Sequence, residues 1–380
     1  MWAAVLGGQM IEPTTLSERD QEGSSGAALN GHANGNGHAS EHAVHGPPSN
    51  VRVTGLAGLS TQQLLNAHYY LTLCRGLEER MWQLNRQGKM PFVVPCAGHE
   101  GAQVGTAMAI TSGKDWVLPY YRDTAVMLTL GMTARDVMLD FMARADGPCS
   151  GGRQMPNHWS CPNLRVVSQS SIVGSQILHA TGVALASKLR GEDDVTVTYF
   201  GDGATAGGDF HEGLNFAGIK KLPVIFVCEN NGYAISETFD KESAAKNVAD
   251  HAAANAMPGE TLDGMDVLGV YEAMKRAVAR ARRGDGPTLL ECKVYRFVPH
   301  TSDDDDRVYR PREEVERWKQ RDPILILRRR LGEAGVLDDA LVAETERRVR
   351  REVDDATEFA ERAAGPDPAT VMRHVYAEDA

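Results

Sequence analysis

Apolar residues recur at helical spacing from Leu64 to Gln87, the pattern of one buried helix face. Ahead of them, Ser60-Thr-Gln-Gln63 places a hydroxyl three residues before an amide, the signature of a capping box. The same periodicity predicts helices over 100–110, over 133–143 with Thr133 as N-cap, and over 175–190, 209–218 and 267–283. Short runs without that period stand between them. Val195-Thr-Val-Thr-Tyr-Phe200, Pro223-Val-Ile-Phe-Val-Cys228 and Thr288-Leu-Leu-Glu-Cys-Lys-Val294 are rich in apolar and β-branched residues, as strands buried on both faces are. Strands alternating with helices predict an α/β fold, a parallel sheet flanked by helices. From Pro311 the pattern is helical and densely charged, with a long stretch over 337–364. Helices are therefore expected to extend the α/β region at both its N- and C-terminal ends. Their apolar stripes, over 64–87 and 337–364, are candidate surfaces for partner subunits.

Residues 1–50 break with this pattern. They are rich in Gly, Ala, Ser, Asn and His, with Trp2 as the one aromatic and Arg19 as the one basic residue. So little apolar surface cannot offset the entropy of ordering, which predicts a disordered tail followed by one domain over 51–380. The 380 residues carry 40 Lys and Arg against 51 Asp and Glu, a net charge of −11. No basic surplus exists to neutralise phosphates, so nucleic acid is not expected as the main partner. The apolar run Leu222–Cys228 is far too short to span a bilayer, and Trp2–Gly8 lacks the basic flank of a signal peptide. Cys74, Cys96, Cys149, Cys161, Cys228 and Cys292 include no C-x-x-C pair. They read as reduced thiols in a cytoplasm rather than as disulfides or a zinc site.

The chemistry concentrates where two of the strands end. Gly201-Asp-Gly203 closes one strand, and Asn230-Asn231 closes the next after 26 intervening residues. In an open parallel sheet, ligands sit beyond the carboxyl ends of the strands. Glycines flanking Asp202 let backbone approach a bulky anion, and the following helix would turn its N-terminus to a phosphate. One carboxylate and one amide oxygen, completed by water and phosphate oxygens, form a shell that Mg²⁺ accepts. No G-x-G-x-x-G follows a strand with an acid about 20 residues on, which argues against a nucleotide-dependent dehydrogenase.

This Gly-Asp-Gly…Asn-Asn pattern resembles the thiamine-diphosphate-binding motif. Tyr121-Arg122, Gly152-Arg-Gln-Met-Pro156, Glu229-Asn-Asn-Gly-Tyr-Ala-Ile-Ser236 and His300-Thr-Ser-Asp-Asp304 with Tyr309-Arg310 extend the likeness. Together they resemble the alpha subunit of the decarboxylating component of 2-oxoacid dehydrogenase complexes. The likeness runs over about residues 60–340. The Gly-Arg-Gln-Met-Pro and His-Thr-Ser-Asp-Asp segments are similar to the branched-chain members. Pyruvate and acetoin members remain alternatives, with a non-catalytic scaffold of the same fold further off.

The resemblance implies thiamine diphosphate and Mg²⁺ as cofactors. Asp202, the Asn231 side chain and the Tyr233 carbonyl would bind the metal. Tyr121, Arg122 and the Gly203-Ala204 backbone would face the diphosphate, with Ser171 and Val173 beside the ring portion. Ser170, Ser175 and Gln176 match a potassium site of some members, but Ile172 replaces a proline and Ser175 a threonine there. Glu229 stands where several members have an arginine on the diphosphate. Neutralisation would then rest on Arg122 and Mg²⁺, helped by Arg296 or His300. His300 would be the catalytic acid or base that delivers the acyl group to a lipoyl arm, a task suited to a near-neutral imidazole. The loop after it, Thr301–Asp306, lacks the Gly and terminal Glu of a calcium loop. His158 is a further candidate for the substrate channel, while His99 and Glu100 are expected to begin a helix and serve structure. The glutamate that activates the cofactor is not evident in this chain. The resemblance therefore implies a separate beta subunit in a two-alpha, two-beta heterotetramer, a lipoyl-bearing acyltransferase component, and a small 2-oxoacid as substrate.

Overall fold

The computed structural model describes residues 56–373, 375 and 376. The expectation for the 1–50 segment lies outside the described residues. The helices and strands run α1 (Thr61–Arg86), α2 (Glu100–Ala107), β1 (Trp116–Leu118), α3 (Thr124–Leu130), α4 (Ala134–Phe141), α5 (Ser175–Arg190), β2 (Thr196–Gly201), α6 (Gly208–Lys220) and β3 (Val224–Asn230). They continue with β4 (Tyr233–Ala234), β5 (Glu237–Thr238), α7 (Phe239–Glu242), α8 (His251–Ala254), β6 (Gly259–Asp263), α9 (Val267–Arg282), β7 (Thr288–Lys293), α10 (Arg312–Lys319), α11 (Pro323–Glu333) and α12 (Asp339–Arg362).

Five strands form one parallel sheet in the order β1-β2-β3-β7-β6. The apolar runs occupy its centre, and their side chains alternate between faces as a pleat requires. Val197, Tyr199, Ile225 and Val227 join a core shared with α1, α2, α4, α9 and α12. Phe200, Val224, Phe226 and Cys228 point the other way, against α5 and α6. Phe210 of α6 is fully buried with its ring 5.8 Å from that of Phe200, a burial that contributes roughly 1.5–3 kcal/mol. A smaller cluster of Tyr233, Met265, Tyr295, Phe297, Val315 and Trp318 ties the segments after β3 and β7 to α10.

The expected capping box forms between Ser60 and Gln63, and Thr133 caps α4 as expected, with Asp136 completing a second box. Several elements exceed the sequence pattern. β1 has three residues, too short to show a period, and β6 is a polar edge strand that pairs with β7 alone. In α3, Thr-Ala-Val-Met-Leu-Thr-Leu is buried nearly all round and so shows no amphipathic stripe. The long terminal helices bury much of their stripes against each other within the chain. Val349 of α12 sits where a Cβ on Gly76 would lie 2.9 Å from it, so the glycine lets α1 and α12 close. Val349, Val353, Ala356 and Ala360 are all buried there.

Candidate active site

β2 and β3 are paired in parallel with Gly201 opposite Glu229, and this register brings Asp202 and Asn231 together at the strand ends. The Asn231 backbone N–H donates to Asp202 Oδ1 at 3.1 Å. Asp202 is 1% exposed, its Oδ2 has no partner, and burial pushes its carboxyl above the usual carboxylate range. Asn231 Oδ1 accepts from the Tyr233 backbone N–H at 3.1 Å, an Asx-type turn that fixes the amide. Its Nδ2 lies 3.4 Å from His99 Nε2. The expected helix N-terminus does not reach this point. Residues Asp202–Ala206 form a 3₁₀ turn and α6 begins only at Gly208, so the Gly203-Ala204 backbone lines the cavity instead. A Cβ on Gly203 would lie 2.7 Å from the Ala234 Cβ, and only glycine permits that approach.

The cavity encloses about 260 Å³ and is lined by Tyr121, Arg122, Ser170, Ser171, Val173, Gln176, Asp202, Gly203, Ala204, Asn231, Tyr233, Ile235 and His300, among others. Two buried guanidiniums, Arg122 in the lining and Arg296 behind it, meet at His300. Arg122 donates to the carbonyl of Pro95 and, at 3.2 Å, to His300 Nδ1. Arg296 donates to His300 Nδ1 at 2.8 Å and to the carbonyl of Ile235 at 2.6 Å. Each is 1% exposed with its Nε unpartnered. Neither forms an ion pair with an acid among the described residues. Burial and the neighbouring Arg122 hold Arg296 below its ordinary value. The Tyr121 ring meets His300 edge-on at 6.1 Å and carries Arg122 on its face at 5.2 Å. Ile235 holds the left-handed conformation at φ 56°, costly for a β-branched residue and typical of a constrained site.

The expected near-neutral His300 is corrected by this packing. Burial, then Arg122 and Arg296, push it down to about 3. An imidazole whose Nδ1 accepts from two guanidiniums is neutral and carries its proton on Nε2. Its loop is fixed by Asp304, whose Oδ2 accepts from the His300 backbone N–H at 2.8 Å and from the Tyr309 hydroxyl at 2.5 Å.

Residues 69–369 match the family described as Dehydrogenase E1 component. The chain belongs to this family. Over 321 residues it is 48% identical to the 2-oxoisovalerate dehydrogenase subunit alpha of Bacillus subtilis, covering 84% of this chain and 97% of that protein. It is 40% identical over 311 residues to the 3-methyl-2-oxobutanoate dehydrogenase subunit alpha of Mycobacterium tuberculosis H37Rv, covering 81% of each. Identity to the Pyruvate dehydrogenase E1 component subunit alpha of Bacillus cereus is 37% over 331 residues, covering 86% of this chain and 85% of that one. The dehydrogenase E1 family is thiamine-diphosphate dependent.

The remaining expected residues of this E1 chain divide sharply. Val173 and Ile172 are exposed at the cavity rim, and Ser171 Oγ lies 2.5 Å from His158 Nε2, which puts His158 on the rim too. Ser170 accepts from the Ile172 N–H, Ser175 donates to the Ile172 carbonyl and Gln176 to the Tyr199 carbonyl. Backbone groups of Ile172 and Tyr199 therefore engage the three side chains matched to a potassium site. Glu229 faces away from the cavity. Its Oε2 accepts from Gln103 and Tyr120, both at 2.9 Å, and lies 2.7 Å from His99 Nδ1. Burial and then Glu229 push Asp123 well above the carboxylate range. His99 thus does more than begin α2, because its other nitrogen approaches Asn231. Glu100, by contrast, serves structure as expected, held by Arg75 and the Gly98 N–H. Glu242 escaped the sequence reading. Burial, then Asp202, push its carboxyl up to about 7, and its Oε2 is unpartnered. Only its distance in sequence from the Asp202 motif hid it.

Proposed function

We propose that this chain is the alpha subunit of a branched-chain 2-oxoacid dehydrogenase, and that its strand-end cavity receives the diphosphate of thiamine diphosphate together with Mg²⁺. The observation that carries the reading is an orphaned buried carboxylate, Asp202 Oδ2, in a cavity lined by Arg122 and backed by Arg296 behind His300, two buried guanidiniums with no counter-anion among the described residues. Buried charges of either kind are costly unless paired, and a diphosphate with its divalent cation would pair both. Asp202, the Asn231 amide oxygen and the Tyr233 carbonyl are assigned to the metal. Arg122 and Tyr121 are assigned to the diphosphate with the Gly203-Ala204 backbone, backed by Arg296, while Ser171 and Val173 are assigned to the ring portion.

Thiamine diphosphate, when bound, supplies the carbanion that attacks the keto carbon and the electron sink that lets CO₂ leave. This chain orients and charges the site. An anion between Arg122 and Arg296 offsets their field on His300 and returns its ring towards neutral-pH proton exchange. We assign His300 to acyl transfer on that ground, with its Nε2 as the exchanging atom.

Among the described residues Asp202 is the one acidic side chain lining the cavity, which supports an activating glutamate supplied by a beta subunit. Ile172, Val173 and Ile235, exposed at 71%, 61% and 55%, give that subunit an apolar rim to cover. The assembly proposed is a two-alpha, two-beta heterotetramer serving a lipoyl-bearing acyltransferase, with residues 51–380 as one diphosphate-binding domain after a tail. All six cysteines are unpaired, in keeping with a reducing cytoplasm. Among the described residues no helix is long and apolar enough to cross a membrane. The branched-chain assignment follows the subunits acting on 2-oxoisovalerate and 3-methyl-2-oxobutanoate that this chain matches. Co-expression with a beta chain, followed by decarboxylation assays on 3-methyl-2-oxobutanoate and pyruvate, tests it. Activity confined to the heteromer and favouring the branched substrate is expected. An active alpha-only species, or a preference for pyruvate, would overturn the corresponding part.

A further inference from the structure

Away from the strand-end cavity, the fold gathers a second set of ligand atoms that nothing above uses. Cys74 and Glu78 lie one turn apart on the same face of α1, and Cys96 reaches them from the segment before α2. Their Sγ, Sγ and carboxyl oxygen atoms lie within 4.8 Å of one another, and the two sulfurs are 3.3 Å apart. Both cysteines are fully buried and Glu78 is 3% exposed. Glu78 Oε1 accepts from the Cys96 N–H at 2.6 Å, while its Oε2 is buried with no partner. A separate cavity of about 450 Å³, lined by Glu78, Arg75, Trp82, Pro95, Ala97 and Phe297 among others, lies beside this cluster.

We infer that Cys74, Cys96 and Glu78 form a site for a zinc-class divalent cation, with water from the adjoining cavity as fourth ligand. Two sulfurs select a borderline-soft metal over Mg²⁺ or Ca²⁺. Three protein ligands with one open position suit tetrahedral Zn²⁺, at about 2.3 Å to sulfur and about 2.0–2.2 Å to oxygen. At those bond lengths the sulfurs of a tetrahedron stand roughly 3.7 Å apart, so the thiols need separate only slightly. Binding exchanges the thiol protons for the cation and releases them to solvent, with no change in oxidation state. The site also has a structural consequence. Pro95, whose carbonyl holds Arg122, precedes Cys96, so a bound metal would brace the segment behind that guanidinium. The inference stands independently of the function proposed above.

The test uses the full chain, stripped with a chelator, kept reduced and supplied with excess Mg²⁺, with Co²⁺ as the probe. One cobalt per chain is expected, with a sulfur-to-cobalt charge-transfer band that Zn²⁺ abolishes. Cys74→Ser and Cys96→Ser should each lose the band, and Cys149→Ser should keep it. Glu78→Gln preserves the acceptor to the Cys96 N–H, guards against a cysteine variant that fails to fold, and should weaken cobalt binding at least tenfold. A wild-type chain without the band overturns the inference. So does a band that survives in all three site variants, or formation of a Cys74–Cys96 disulfide in air with no metal uptake by the reduced chain.

Discussion

Two buried acids stand one residue out of register on adjacent strands, and the regions they face differ completely. Asp202, just past the end of β2, opens on the cavity with one oxygen unpartnered. Glu229, near the end of β3, turns into the core, where Gln103, Tyr120 and His99 surround a single oxygen. Both are almost fully excluded from water. Each has one oxygen without a partner, and what separates them is where that oxygen lies: Asp202 belongs to the cavity wall, while Glu229 is buried away from it. A carboxyl gripped by three protein partners in the core contributes to folding, whereas one that opens on a cavity stays available to a ligand at some cost to stability. The two regions touch through His99, which lies between Glu229 and Asn231.

Substitutions on either side should break this contrast in opposite ways. Glu229→Ala strands three buried partners and should lower stability by about 3–5 kcal/mol, read by denaturant unfolding. Asp202→Ala should leave the unfolding midpoint little changed, because losing the bond from the Asn231 N–H is offset by removing a buried oxygen that has no partner. In the heteromer, calorimetric titration with thiamine diphosphate and Mg²⁺ should show it losing at least ~100-fold in affinity, or about 2.7 kcal/mol; wild-type affinity would sink the metal assignment. Arg122→Ala removes one charged donor and should cost about 2 kcal/mol of cofactor binding in the same titration. A deficit in stability alone would move Arg122 to the core side of the comparison. Glu229→Gln keeps an acceptor for its donors and should cost only about 1 kcal/mol of stability, with cofactor affinity little changed. A large loss of affinity there would show that the Glu229–His99 contact governs Asn231.

Much of this was legible in the sequence for one physical reason: it depends on neighbours within a few turns. The box at Ser60, the N-cap at Thr133, the helix over 175–190 and the buried strands are local patterns. Asp202 and Asn231 were legible because each ends its own strand, and parallel pairing does the rest. The polar edge strand β6 and the fully buried α3 lacked any pattern to read. Glu229 was read only as a missing arginine, since its partners lie 109 to 130 residues away.

By itself, then, the amino-acid order determined the α/β class, most helices and strands, and the strand-end pair that marks the cavity. Those features follow from hydrophobic period, capping and turn chemistry, which act over a few residues. Tertiary structure alone decided that the stripes of α1 and α12 bury each other, that His300 is neutral between two guanidiniums, and that Cys74 meets Cys96 across 22 residues of chain. Each of these depends on which distant groups share one desolvated space, and desolvation is set by packing rather than by sequence spacing.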